Sequence, residues 1–244
     1  MWKSNWDETK QRFVKWWNRE GLLIGMWGAP EVGRAVHEQV AAPVVPENLE
    51  ERYTNAAFRA AENHYRLSRS VFPLDVLPSA CTDLGPGSLA LFLGSQPGFS
   101  ESTVWYHPCI HEVEEPEELP PLRFDPANRW WQITEDVLRR CKEMAQGKYL
   151  VTCPDLVENM DTLSSLRDAQ TLCVDMIERP EWVEQKIPEI NRFGSTPTNG
   201  FTTSSRHRTA APRLGRFVFG VRARWPRCSA TPRQCFPPRC IASS

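Results

Sequence analysis

The segment KYLVTCPDLVENMDTLSSLRDAQTLCVDMIERPEWVEQKIPEINR, residues 148–192, decides the fold. It opens with KYLVTCPDL, a short apolar run that ends at Pro154 and Asp155 and predicts a strand. The remainder has helical patterning and predicts two helices divided by Pro180. A strand followed directly by helices is typical of α/β proteins.

Upstream of this segment, strand-like and helix-like patterns alternate. Because each parallel return needs a crossover long enough to hold a helix, the alternation predicts an α/β fold with parallel strands. The expected helices are 6–19, 46–70 and 128–147, and the expected strands are 22–27, one within 72–87, and one within 102–110.

Several of these segments resemble the uroporphyrinogen decarboxylase superfamily, which includes the decarboxylase and corrinoid-dependent methyltransferases. The likeness rests on the strand ending in Pro154–Asp155, the DTLSSLRDAQTL helix start and the ERPEWVEQKI step. GLLIGMWGAP, DLGPGSLALFLG and FDPANRWW are similar to a less characterised branch of that superfamily. The resemblance covers residues 5–191 and implies an incomplete (β/α)8 TIM barrel, its N-terminal half, since a full barrel has about 250 residues.

Barrel enzymes place catalytic groups at the carboxyl ends of their strands. Asp83 and Asp155 both follow predicted strands and are therefore candidate catalytic residues. Asp75 and Trp27 are candidate substrate-binding residues near strand ends. The alternative is structural: Asp beside Gly or Pro also forms ordinary turns and caps, and Trp27 can simply pack.

The HPCIH segment places His107, Cys109 and His111 at alternate positions, where a strand would direct all three to one side. Zinc binds such ligands. Three ligands so close on one strand rarely converge on one ion, and Pro108 indicates a loop, so a structural role is favoured over a metal site.

Departures from the decarboxylase pattern narrow the implied function. The stretch GMWGAP lacks the Arg with which decarboxylases hold substrate carboxylates, and Leu166 replaces an aromatic hydroxyl residue. The resemblance therefore implies a methyltransferase-like protein acting on a small methylated or carboxylated substrate. An intact relative would use zinc or a corrinoid protein as partner, with its zinc ligands in a portion that this chain lacks. No cofactor is evident from this sequence itself.

The charge distribution separates residues 1–191, net about −11, from residues 192–244, which carry ten Arg and no acidic residue. If the reading frame of the tail is shifted, residues 197–206 permit the amphipathic peptide YERIYDLIK, which resembles the family's next segment. We therefore expect residues 1–191 to be the barrel part and residues 192–244 to be an out-of-frame, disordered tail that follows a frameshift near residue 193. Such a chain would be catalytically impaired.

Two other readings stay open. The tail can be an Arg-rich arm that contacts nucleic acid phosphates, with Phe217, Phe219 and Trp225 stacking on bases. This interpretation is disfavoured because Arg without Lys, mixed with Pro and Cys, is also what shifted GC-rich codons produce. The acidic residues 1–191 can alternatively form an interaction module.

The sequence also predicts the compartment. Its first residues contain no apolar run typical of a signal peptide, and no stretch approaches the roughly 20 apolar residues of a membrane span. The cysteines of residues 1–191 are scattered without CxxC pairs. A cytoplasmic protein without membrane association is expected.

Overall fold

A computed structural model describes residues 1–204 except 27 and 158, and describes side chains as far as residue 192. The described chain is mixed α/β and rich in helix. Its helices are α1 (Trp6–Trp17), α2 (Leu49–Thr54), α3 (Ala56–Ser68), α4 (Leu89–Phe92), α5 (Arg129–Ala145), α6 (Asn159–Arg167), α7 (Ala169–Glu178) and α8 (Pro180–Ser204). A short 3₁₀ helix spans Pro116–Glu118. The strands are β1 (Ser79–Ala80), β2 (Gln96–Phe99), β3 (Val104–His107) and β4 (Leu150–Val151).

The four strands of the described residues form two separate pairs. β1 and β4 are parallel, with Ser79 opposite Leu150 and Ala80 opposite Val151. β2 and β3 form an antiparallel hairpin. The prediction of strands near residues 79, 104 and 150 is confirmed. The expectation that all of them are parallel is wrong, because the short connection from β2 to β3 closes a hairpin instead of a crossover.

The core is built where the helices cover the β1–β4 pair. α4 contributes the fully buried Leu89, Leu91 and Phe92, and the Phe92 ring meets Trp131 of α5 edge to face at 5.4 Å. The same core contains buried residues of α3, α5, α6 and α8, namely Leu67, Val137, Leu138, Cys141, Leu163, Leu166 and Ile190. Burial of these side chains from water is the main source of stability.

The predicted strand at 22–27 is not formed by the described residues 22–26. Leu22 is 75% exposed and Ile24 is 52% exposed, so the run is not buried either. Two hydrogen bonds join it to Asp75: the Asp75 N–H donates to the Ile24 carbonyl at 2.9 Å, and the Ile24 N–H donates to Asp75 Oδ2 at 2.9 Å. Apolar composition alone predicted burial here, but no second element among the described residues covers this segment's outer side.

Two predicted helices are interrupted by polar residues. The helix expected at 46–70 breaks at Asn55, whose side chain accepts a hydrogen bond from the Phe58 N–H and so caps α3. The helix expected before Pro180 breaks at Asp168, so that α6 ends at Arg167. Asp168 has φ of 81°, and its side chain caps α7 by accepting hydrogen bonds from the Gln170 and Thr171 N–H groups. By contrast, the helices predicted at 6–19 and 128–147 are confirmed as α1 and α5.

α8 extends beyond the predicted boundary at residue 192 as far as Ser204. Residues 205–244, which hold most of the predicted out-of-frame tail, lie outside the described residues. In the described part of the chain, no helix combines the length and the apolar character needed to cross a membrane.

Candidate active site

The carboxyl ends of β1 and β4 bring Asp83 and Asp155 together. Because the two strands are parallel neighbours, the loops that follow them leave the same edge. The Asp155 backbone N–H donates to Asp83 Oδ1 at 2.6 Å. Asp155 in turn accepts from the Gly87 N–H through Oδ2 at 3.2 Å and from the Ser88 N–H through its carbonyl at 2.8 Å. The two carboxyl groups predicted as catalytic candidates thus share one hydrogen-bonded loop cluster.

Both aspartates line a cleft of about 620 Å³, which we call the strand-end cleft. One wall is formed by α2 and the start of α3, and the other by the loops after β1 and β4. Among the residues that line the cleft, Tyr53, Phe58 and Glu62 belong to the helical wall, and Gly85 belongs to the loop after β1. A volume of this size is typical of small-molecule sites.

The tip of the β2–β3 hairpin forms the rim of the strand-end cleft. Glu101, Ser102 and Thr103 line the cleft there. The Tyr53 hydroxyl donates to the Ser100 carbonyl at 2.8 Å and joins the hairpin to α2. The rim is therefore tied to the helical wall as well as to the strands.

Gly85, in the DLGPG turn, is required by close packing. Its φ is 149°, and a Cβ atom at this position would lie 2.8 Å from Val104 Cβ and 2.9 Å from the Tyr106 hydroxyl oxygen. Any side chain here would push the turn away from β3. The close contact of Gly85 with β3 therefore fixes the position of the turn that contains Asp83.

Three ionisable side chains close to the two aspartates, those of Tyr106, Cys81 and Cys153, are uncharged at neutral pH. Burial raises the pKa of the Tyr106 hydroxyl, and the charges of Asp155 and Asp83 act in the same direction. Desolvation and the Asp83 carboxylate raise the pKa of the Cys81 thiol to about 11, and its Sγ donates to Asp83 Oδ2 at 3.0 Å. Burial raises the pKa of Cys153 to about 12. These thiols are protonated at neutral pH and are poor nucleophiles.

Two cationic residues of the cleft were missed by the sequence reasoning. Arg52 lies in α2 and Arg59 in α3, and both line the cleft. On the continuous helix that the sequence predicts at 46–70, their spacing of seven residues, about two turns, places both on one face, and this was the available signal. The predicted site residues all lie in or beside predicted strands, so the helical wall was not predicted.

Asp75 lies outside the lining of the strand-end cleft. It is 6% exposed and accepts from Arg12 Nε at 2.5 Å and from the Ile24 N–H at 2.9 Å. Burial would raise the pKa of Asp75, but these hydrogen bonds outweigh it and lower the pKa. Through these two contacts Asp75 holds α1 and the 22–26 segment in place. Trp27, the other substrate-binding candidate, lies outside the described residues.

The structure does not bring His107, Cys109 and His111 together as a ligand set. β3 ends at His107, so the alternation expected for a continuing strand stops there. His111 Nδ1 lies 3.0 Å from the Pro108 carbonyl oxygen, within its own turn. Among the side chains that the structure describes, no group of three or more His, Cys, Asp or Glu residues is arranged to hold a metal ion.

Comparison with known proteins adds no assignment: no family model matches the chain, and neither a curated protein nor a solved structure is significantly similar to it.

Proposed function

We propose that residues 5–191 form part of a (β/α)8 barrel similar to the uroporphyrinogen decarboxylase superfamily, closer to its methyltransferase-like members than to the decarboxylase. In this proposal the strand-end cleft holds a small methylated or carboxylated substrate. A corrinoid protein would be the partner of an intact relative, and this chain would be catalytically impaired by its out-of-frame tail.

The observation that carries the proposal is the hydrogen bond from the Asp155 N–H to Asp83 Oδ1. It joins the loops after two adjacent parallel strands, at the edge where α/β proteins and barrels bind ligands. Neither carboxylate forms an ion pair with a cation among the described residues. Both are therefore available to accept hydrogen bonds or a proton from a ligand.

A ligand screen on the full chain tests this proposal. The melting temperature is measured with a panel of methylated amines, methylated thiols, monocarboxylates and dicarboxylates, because a ligand that binds only the folded state raises it. We expect at least one compound to raise it for the wild type and to act more weakly on D155N. The control is E184Q, at an exposed position on α8. The proposal fails if no compound acts, or if D155N and E184Q respond equally.

The ten Arg of residues 192–244 favour a second candidate, an acidic domain with a nucleic-acid-binding arm. Its test is binding of a single-stranded oligonucleotide to the full chain over a series of salt concentrations. A functional arm would bind at moderate salt and lose affinity steeply as salt rises. Absence of binding at about 0.15 M salt would exclude this candidate.

A further inference from the structure

The helical wall of the strand-end cleft carries two half-buried guanidinium groups, those of Arg52 and Arg59. Their hydrogen bonds within the described residues go to backbone carbonyls. Arg52 Nε donates to the Pro46 carbonyl at 2.8 Å. Arg59 donates to the Tyr53 carbonyl at 3.3 Å and to the Asp83 carbonyl at 3.0 Å. In the described part of the chain, neither forms an ion pair with a carboxylate.

This arrangement differs from that of the arginines that anchor the fold. Arg12 and Arg167, for example, each pair with a buried aspartate, at 2.5 and 2.7 Å. A guanidinium that is partly removed from water without an opposite charge is unfavourable, and an anion beside it compensates. The two terminal nitrogens of Arg52 have no hydrogen-bond partner among the described residues and can donate to such an anion.

The strand-end cleft also contains carboxylates. Asp83 and Asp155 follow the strands, whereas Glu62 lies on α3, on the same wall as the two arginines. Although they line the same cleft, none of these carboxylates lies within ion-pair distance of Arg52 or Arg59. A ligand with an anionic end can therefore bind the helical wall while another part of it faces the aspartates.

We propose that Arg52 and Arg59 bind an oxyanion, a carboxylate or a phosphate, carried by the small ligand of the strand-end cleft. This inference rests on the proposed function of that cleft, and it names the substrate class. Arginine suits both groups because its planar array of donors matches their oxygen atoms. The cations come from the helical wall and not from the first strand, where the sequence has GMWGAP without Arg.

Isothermal titration of the full chain, once with succinate and once with inorganic phosphate, tests the assignment. The variants are R52Q and R59Q, and the control is R123Q, an exposed position before α5. This control accounts for anions bound by the ten Arg of residues 192–244. We expect at least one anion to bind about tenfold more weakly to R52Q and to R59Q than to R123Q. The anion that shows this loss identifies the class.

Equal affinities of R52Q, R59Q and R123Q for both anions would overturn the inference. D83N separates this failure from failure of the proposed function, because it removes a negative charge but keeps an oxygen acceptor for the Asp155 N–H. If D83N alone changes the affinity, the cleft is the ligand site and the arginine assignment is wrong. If no variant changes it, the arginine assignment is wrong, and the proposed function is decided by the ligand screen with D155N. Should R59Q not fold, R52Q decides, since its described hydrogen bond is to one carbonyl.

Discussion

Arg167 and Asp175 form a buried ion pair, with Arg167 Nε 2.7 Å from Asp175 Oδ2 and with side-chain exposures of 3% and 1%. The same guanidinium donates to the carbonyls of Ile110 and Val113 at 2.6 and 2.7 Å. One side chain of α6 therefore holds both α7 and the loop that follows the β2–β3 hairpin.

Replacing Asp175 with Asn should destabilise the protein by about 3–5 kcal/mol, because it leaves the Arg167 charge buried without an opposite charge. Urea unfolding, monitored by circular dichroism, measures the loss. The matched control is E178Q, because Glu178 is 63% exposed and its ion pair with Arg179 spans 3.7 Å; a change of at most about 1 kcal/mol is expected there. Equal effects of the two variants would contradict the role given to Arg167.

Gly98 should not tolerate a side chain, because the Trp105 indole of β3 occupies the space where its Cβ would lie. G98A is expected to cost about 1–3 kcal/mol in the free energy of unfolding. G25A, at a position with open space around the Cβ, serves as control. In the W105A background, where the indole is absent, G98A should cost much less free energy of unfolding than it does in the wild type. If it does not, the contact across the hairpin is not the cause.

His64 predicts a dependence of stability on pH. Burial lowers its pKa, against the opposing effect of Glu38, and the Lys148 ammonium lowers it further. Its Nδ1 lies 2.9 Å from the Tyr149 hydroxyl, and Trp2 packs on its ring. Because the folded-state pKa lies below the unfolded value of about 6.5, the unfolded state binds more protons near that pH. Stability is therefore expected to fall as pH drops from about 7 through 6.5 towards the folded-state pKa.

Urea unfolding of wild type and H64Q between about pH 5 and 7.5 measures this dependence. The pH-dependent loss should be smaller in H64Q than in the wild type. H111Q provides the comparison, because His111 is 47% exposed. A wild-type loss that persists unchanged in H64Q would assign it to other groups.

The exposed apolar segment 22–26 predicts self-association. Leu22 and Ile24 leave an extended apolar stretch that is joined to the described fold chiefly through Asp75. L22K should reduce light scattering of concentrated protein while changing stability by about 0.5 kcal/mol or less. I177K alters a side chain on α7 that is 82% exposed and serves as control. An equal reduction by both variants would show a general charge effect.

Local signals explain which parts of the fold could be predicted. α1 and α5 have clear apolar periodicity, and Gly147 follows α5 with φ of 79°, so the sequence defines both helices well. The break at Asn55 depends on whether an Asn side chain caps a new helix or remains within the old one, and both are compatible with the local pattern. The failed strand at 22–26 depended on tertiary cover, which apolar composition does not encode.

The candidate site shows the same division. Asp83 and Asp155 were predictable because each follows a short apolar run, and parallel strands bring such positions to one edge. Arg52 and Arg59 were not, because their meeting with those aspartates depends on how α2 and α3 pack beside the strands. Asp75 was misleading, since its position near a strand end resembles a site while its contacts go to Arg12 and Ile24.

The central proposal, that residues 5–191 are part of a barrel, is tested most directly by the nucleotide sequence of the gene. The account predicts that codons 197–206 are compatible with YERIYDLIK in the shifted frame, and that further strand and helix patterns continue in that frame downstream. Codons that exclude this reading, or a shifted frame that soon ends without such patterns, would contradict it.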